Sequence, residues 1–304
     1  MNETKKIAVF GGTGLYGSKV VESLLLKNIQ VRMLTRNSQN IAKYKSKSVE
    51  VIVGDVLNTA DIIHTLEGVD GIVICLSAMT SKLIRKMRQI ERDAVLEIMK
   101  QAKIFGIKRL VYMSGYELRT DVLKKLKIEK FGDIKIEMEE YIKQSDFNWT
   151  ILGDAPSFDL FFAFYKNGKM MVPGGGYKSV PAISAVDVGE ITAQAVLRND
   201  LDKQRLKLTG PTAYTFPEVA KLISEIIGKK VVHKKIPLAI ICFVSIILLP
   251  FNPFPRYLYQ ALKMFNNFPE DLATKVPQDH HLLRQLFDYE PITLEMEIKK
   301  RLLS

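Results

Sequence analysis

The stretch Ala8–Asn28, AVFGGTGLYGSKVVESLLLKN, constrains this chain more than any other. A short apolar run leads into Gly11, Gly14 and Gly17, spaced three apart, and an apolar-periodic run follows. This reads as strand, glycine turn and helix. Such glycines permit a tight turn, close approach of backbone to a pyrophosphate, and packing of helix on strand. The helix N-terminus then offers unpaired N–H groups and the positive end of its dipole to phosphate. Inside a βαβ unit the pattern indicates a dinucleotide site built from Gly11, Thr13, Gly14, Leu15, Tyr16 and Gly17.

The βαβ rhythm continues. Strands are expected at 6–11, 30–36, 49–55, 71–77 and 108–115, with helices at 18–27, 59–68 and 90–105. Continuous apolar strands alternating with helices imply a parallel sheet covered on both faces. The fold class is therefore α/β, a Rossmann-like doubly wound parallel sheet. Beyond it the pattern is less regular. A helix is expected at 135–144, a strand at 147–153, a hairpin with a glycine turn at 166–180 and a strand at 204–210. A helix capped by Asp187 should run to about Arg198, and an amphipathic helix should cover 215–230. No repeat or low-complexity linker interrupts the chain. The division expected is a nucleotide-binding core, 1–153, followed by 154–304. The second part carries the remaining core elements and a small interleaved C-terminal substrate or lid subdomain.

The end of the second strand discriminates between dinucleotides. A carboxylate there would bind the ribose 2′-hydroxyl and repel a 2′-phosphate. Here the sequence is MLTRNSQN, with Arg36 and no acid. A guanidinium fork suits phosphate oxygens, so NADP(H) is favoured over NAD(H), which stays open. Ligands of such sheets bind at the carboxyl ends of the strands. Asp55 should therefore meet the adenine edge, and Ser77 and Ala78 the nicotinamide ribose.

Other signals exclude more than they assign. The net charge of +11 suits acidic partners, but no aromatic-interleaved basic motif points to nucleic acid. The run Lys82, Arg85, Lys86, Arg88 and Arg92 reads as a solvated face, as do Glu137, Glu139 and Glu140. Cys75 and Cys242 form no metal or disulfide framework, and the N-terminus carries no export signal, so a cytoplasmic setting is expected. His280 and His281 are adjacent and cannot converge on a metal from one helix face; a loop is expected there. His64 and His233 lack ligand-spaced partners, and no metal is expected.

The series GGTGLYG, LTRN, VGDV, AKIFGIKRLVYMSG, NWTIL and ISAVDVGEITAQAV resembles the NmrA-like group of atypical short-chain dehydrogenase/reductases. The resemblance covers about residues 5–200, and FDYEPITLEMEIKKRL is similar to the family's closing helix. It implies a bound dinucleotide and a small substrate subdomain. It implies no single activity: quinone and isoflavone reductases, nucleotide-binding sensors, and subunits or assembly factors of membrane redox complexes share the pattern. Typical short-chain dehydrogenases place a proton-donating tyrosine four residues before a lysine that lowers its pKa. The best-aligned lysine here is Lys135, and four residues earlier stands Phe131, which has no hydroxyl. Lys135 is expected to hold the nicotinamide ribose, with Tyr116 or Ser114 orienting substrate. Gly153 and Asp154 stand where the family carries an arginine and a proline.

One segment is of another kind. From Ile236 to Phe251 there is no charge, and Pro237 and Pro250 bracket it. As a helix it spans only about 20 Å, against a hydrocarbon core of about 30 Å. Three readings fit: a helix buried in the substrate subdomain, a lid over an apolar pocket, or a membrane-surface or partner-docking segment between basic flanks. The function expected is NAD(P)H-dependent reduction of a small or lipophilic carbonyl or quinone-like compound. The alternative is a dinucleotide-binding sensor or assembly protein without turnover.

Overall fold

The computed structural model describes residues 5–37, 44 and 48–303. Met1–Thr4, on which the export-signal expectation partly rests, and Ser38–Asn40, which complete the MLTRNSQN stretch, lie outside the described residues. In chain order the first elements are β1 (Lys6–Phe10), α1 (Leu15–Leu26), β2 (Gln30–Thr35), β3 (Val49–Val53), α2 (Thr59–Leu66) and β4 (Gly71–Ile74). Then come α3 (Ala94–Ile104), β5 (Arg109–Gly115), α4 (Thr120–Leu126), α5 (Asp133–Lys143) and β6 (Asn148–Asp154). A π turn, Gln89–Asp93, leads into α3.

The second half begins with α6 (Asp159–Phe162), the hairpin β7 (Tyr165–Lys166) and β8 (Lys169–Pro173), β9 (Val180–Pro181) and α7 (Ala185–Leu197). It continues with β10 (Gln204–Leu208), β11 (Ala213–Tyr214), α8 (Phe216–Ile227) and β12 (Val232–Ile236). The chain ends in α9 (Leu238–Leu248), α10 (Phe254–Asn266), α11 (Glu270–Ala273), α12 (Val276–Leu286) and α13 (Leu294–Leu302).

The main sheet has seven strands in the order β3-β2-β1-β4-β5-β6-β10, and every pairing is parallel. Six of them follow the order of a doubly wound dinucleotide-binding sheet. Alternation along each strand sends neighbours to opposite cores. Val9, Val73, Val111 and Leu152 face a core shared with α1 and α7; Ala8, Ile72, Leu110 and Ile151 face the one closed by α2, α3 and α5. The order reverses between β1 and β4, and the crevice there opens at the carboxyl ends of the strands.

Local chemistry explains most of the element boundaries. Thr215 and Glu218 form a reciprocal capping box on α8, Pro217 occupies its first turn, and Gly228 ends it with φ +66°. Other boundaries differ from expectation. Helix α1 begins at Leu15, not Ser18, because Gly14 already supplies its extended N-cap. Ser184, not Asp187, caps α7: its side chain accepts from Val186 N–H. Asp187 lies one turn in, buried, and accepts from the Ile292 N–H at 3.0 Å. Burial pushes its carboxyl up to about 7.

His280 and His281 lie within α12, not in a loop; His280 Nδ1 is 3.1 Å from the Thr209 carbonyl. Glu139 is not solvated. It is buried and paired with Arg205, whose Nε donates at 2.8 Å. The basic run is a solvated face as expected, with Lys82, Arg85, Lys86 and Arg88 exposed; within it Arg88 and Arg92 pair with Glu137, and Arg85 donates to the carbonyls of Pro250 and Phe251. No group of metal-binding side chains occurs among the described residues.

Candidate active site

One cavity of about 720 Å³ runs along the carboxyl ends of β1, β2, β4, β5 and β6. Its first lobe is lined by Gly11, Thr13, Gly14, Leu15 and Tyr16, with Arg36, Asp55 and Ser77 on the facing strand ends. Gly11 has φ +87°, and a Cβ there would sit 2.5 Å from the Cys75 carbonyl oxygen, so only glycine makes this turn. Gly17 does not line the cavity; it packs α1 against the Gly11 carbonyl. The first turn of α1 carries no acid. A backbone cradle, an unopposed helix N-terminus and an exposed arginine at the β2 end fit a dinucleotide with its phosphates on α1.

Asp55 is partly committed to local structure. Its Oδ1 accepts from Leu57 N–H at 3.0 Å, while its own N–H donates to Asp61. Ser77 is exposed at the rim. Ala78 is buried behind it and does not reach the cavity; its N–H donates to Glu91 Oε1 at 2.6 Å. Glu91 carries no sequence signal that marks it as a site residue. The π turn carries this buried carboxylate into the cavity wall, with Oε2 3.9 Å from Lys135 Nζ.

Lys135, on α5, lies at the base of the second lobe. Its ammonium donates to the Met113 carbonyl at 3.1 Å and sits 5.0 Å from the Tyr112 ring centroid. Burial works against its charge, but Tyr112, Glu91 and Asp154 outweigh burial and hold its pKa above the ordinary lysine value. Asp154, at the end of β6, lines the same cavity. Burial pushes its carboxyl up to about 7 against the pull of Lys135 and Arg205. Both act at a distance: among the described residues no side chain hydrogen-bonds to it.

Gly153 explains how Arg205 reaches this place. A Cβ at 153 would lie 2.9 Å from the guanidinium and 2.6 Å from the Gly115 oxygen. Without one, Arg205 donates to the carbonyls of Gly115 and Tyr116 as well as to Glu139. Ser114 is buried on the cavity wall. Tyr116 lines the cavity, but its hydroxyl donates to Asp279 at 2.7 Å, and burial followed by that bond raises its pKa far above the ordinary value.

Apolar side chains close the second lobe. They include Leu160, Val180, Tyr257, Met264, Phe265 and Phe268. The Phe131 ring packs 5.3 Å from that of Tyr257. The position of the expected tyrosine is thus part of an aromatic wall. The site joins a glycine-rich backbone cradle, a buried lysine–carboxylate cluster and an apolar chamber, an arrangement suited to delivering a proton beside a lipophilic ligand.

Known proteins share this fold and parts of this sequence. The chain is 24% identical to the photosystem II assembly factor Ycf39 of Guillardia theta, over 78% of this chain and 75% of that protein. It is 26% identical to an NAD(P)H azoreductase of Xenophilus azovorans, over 76% of this chain and 77% of that protein. Its fold matches the triphenylmethane reductase of Citrobacter sp., solved with NADP(H), with a TM-score of 0.75 and 20% identity over 98% and 100% of the two chains. The NmrA-like family pattern matches residues 3–295, and the chain belongs to the NmrA-like family.

Proposed function

We propose that the protein is an NADP(H)-dependent reductase of a lipophilic, electron-poor substrate of carbonyl or quinone type. The observation that carries this reading is that Lys135 and Asp154 line one cavity with both the phosphate cradle and the apolar chamber. Gly11, Gly14 and the N-terminus of α1 would hold the pyrophosphate, Arg36 the 2′-phosphate, and Lys135 the nicotinamide ribose. The reduced nicotinamide, when bound, supplies the hydride.

The chain's own part is the proton. A carbonyl oxygen that gains electron density needs one as the reduction proceeds. Asp154 holds it: with a pKa of about 7 its carboxyl is about half protonated at neutral pH. The O–H bond breaks, the proton passes to the substrate oxygen, and the carboxylate left behind is stabilised by Lys135 and Arg205. Tyr116 has its hydroxyl committed to Asp279 and serves as an anchor in this scheme. A cytoplasmic setting accords with two unpaired cysteines.

Titration of the purified protein with NADPH and NADH tests the cofactor half. Saturable binding, tighter for NADPH, is expected; binding of neither removes the proposal. A panel of quinones and electron-poor dyes then tests turnover, which Lys135→Ala should abolish. A second reading, a dinucleotide-binding assembly protein without turnover, is favoured by Phe131 at the expected tyrosine position. NADPH binding with no oxidation across the panel would select it.

A further inference from the structure

Helix α9 is inside out. Its one fully buried residue is polar: Ser245 is 0% exposed, its hydroxyl satisfied by the Cys242 carbonyl at 2.7 Å. The large apolar residues face outward. Phe243, Ile246 and Ile247 are 66%, 58% and 52% exposed, and Phe251, just past the helix, is 78% exposed. At 100° per residue the outward apolar positions from Ile240 to Leu248 sweep roughly 200°. A helix seated in a protein groove presents a narrower stripe, whereas one immersed in lipid accepts apolar contact all round its outer face. The remaining side packs on α10.

The rim of this patch is basic. Lys234 and Lys235 stand exposed on β12 where the chain enters α9. At the other end Arg85 donates to the carbonyls of Pro250 and Phe251, fixing the Lys82–Arg88 turn, which contains no acid, against the helix end. From Lys229 to Pro269 there is no aspartate or glutamate. Basic side chains around an apolar patch match an anionic headgroup layer over an acyl interior. The helix has 11 residues, about 16 Å, too short to cross a core of about 30 Å. Among the described residues no helix is long and apolar enough to span.

We propose that α9 and its basic rim form a docking surface for an anionic lipid bilayer, with the helix lying at the headgroup–acyl boundary. Helix α10 lies between α9 and the cavity and lines the apolar lobe with Tyr257, Ala261, Met264 and Phe265. Docking therefore brings that lobe within about one helix diameter, roughly 10 Å, of the lipid. The docking itself does not depend on turnover.

The test is co-sedimentation of the full chain with vesicles of phosphatidylcholine alone or with one-third phosphatidylglycerol. Binding should be at least tenfold stronger to the anionic vesicles and should weaken with salt. The double variant Phe243→Asn/Ile247→Asn changes only exposed positions, and Lys234→Glu/Lys235→Glu only the rim. Each should retain the wild-type melting curve and dinucleotide binding while losing at least tenfold in vesicle binding. Wild-type protein remaining in the supernatant with anionic vesicles would overturn the proposal, as would undiminished binding by the Phe243/Ile247 variant. A dimer in light scattering that the same variant converts to monomer, without vesicle binding, would assign the patch to a second copy of the chain instead.

Discussion

The Tyr116 hydroxyl donates a 2.7 Å hydrogen bond to Oδ2 of Asp279, tying the end of β5 to α12. Lys207 stands 3.7 Å from the same carboxylate, so the pair belongs to a small charged cluster. A phenol so held is a poor proton donor, because burial and the carboxylate both raise its pKa. Tyr116→Phe should therefore leave turnover within a few-fold of wild type and cost about 1 kcal/mol of stability, the worth of one buried hydrogen bond. Steady-state kinetics and a thermal melt on one preparation check both. A rate loss of roughly 10²–10⁴ would make Tyr116 the donor and displace Asp154.

Asp154→Asn separates activity from stability. The amide cannot release a proton, so kcat should fall by roughly 10²–10⁴ while NADPH affinity changes little. In the wild type, kcat/KM should decline as pH rises through about 7, where the Asp154 proton is lost. Stability falls over the same pH range. A folded pKa of about 7, above the unfolded carboxylate value of about 3.9, means the folded state binds the extra proton between these pH values. Stability from this group is highest below about pH 4 and is lost as pH climbs to about 7. Asp187, also raised to about 7, adds a parallel dependence. Asp154→Asn should thus match wild type near pH 4 and exceed it by roughly 4 kcal/mol at about pH 8. Denaturant unfolding at the two pH values measures the difference.

Arg36 decides the dinucleotide preference in the proposed binding mode. It stands exposed at the end of β2, on the wall of the phosphate lobe. Loss of a charge-assisted contact to the 2′-phosphate should weaken NADPH binding roughly 10- to 100-fold in Arg36→Ala, with NADH affinity nearly unchanged. Arg36→Asp should go further and reverse the preference, since a carboxylate there meets the ribose hydroxyls and repels phosphate. Paired fluorescence titrations read both ratios. Equal losses for the two cofactors would show that Arg36 shapes the loop without reading the phosphate.

Features set by local chemistry are legible in the amino-acid sequence itself. Gly11 needs its positive φ from its own turn, and the buried parallel strands follow from runs such as IAVF and LVYM. Features that depend on distant chain are not. Ser184 and Asp187 are both reasonable caps for α7, and the choice turns on Ile292, 105 positions beyond Asp187, whose N–H takes the aspartate. Glu139 reads as one of three solvated acids until Arg205 arrives beside it from β10. The exposure of α9 cannot be read from its composition, because a core helix and an uncovered one share the same residues. It depends on which faces the rest of the fold leaves open.

Glu91 is hidden for a different reason: a π turn resets the helical phase, so periodicity points its side chain the wrong way. Its two oxygens have separable tasks. Oε1 accepts from the buried Ala78 N–H at 2.6 Å, while Oε2 faces the Lys135 ammonium at 3.9 Å. Glu91→Gln keeps an acceptor for Ala78 but removes the charge. It should melt near wild type, lower the Lys135 pKa and weaken dinucleotide binding several-fold. Glu91→Ala also strands the Ala78 N–H, which should cost about 1–3 kcal/mol more. Melting curves and NADPH titrations of the two variants separate the roles. Equal destabilisation in both would mean that the charge facing Lys135, and not the bond to Ala78, holds the strand end in place.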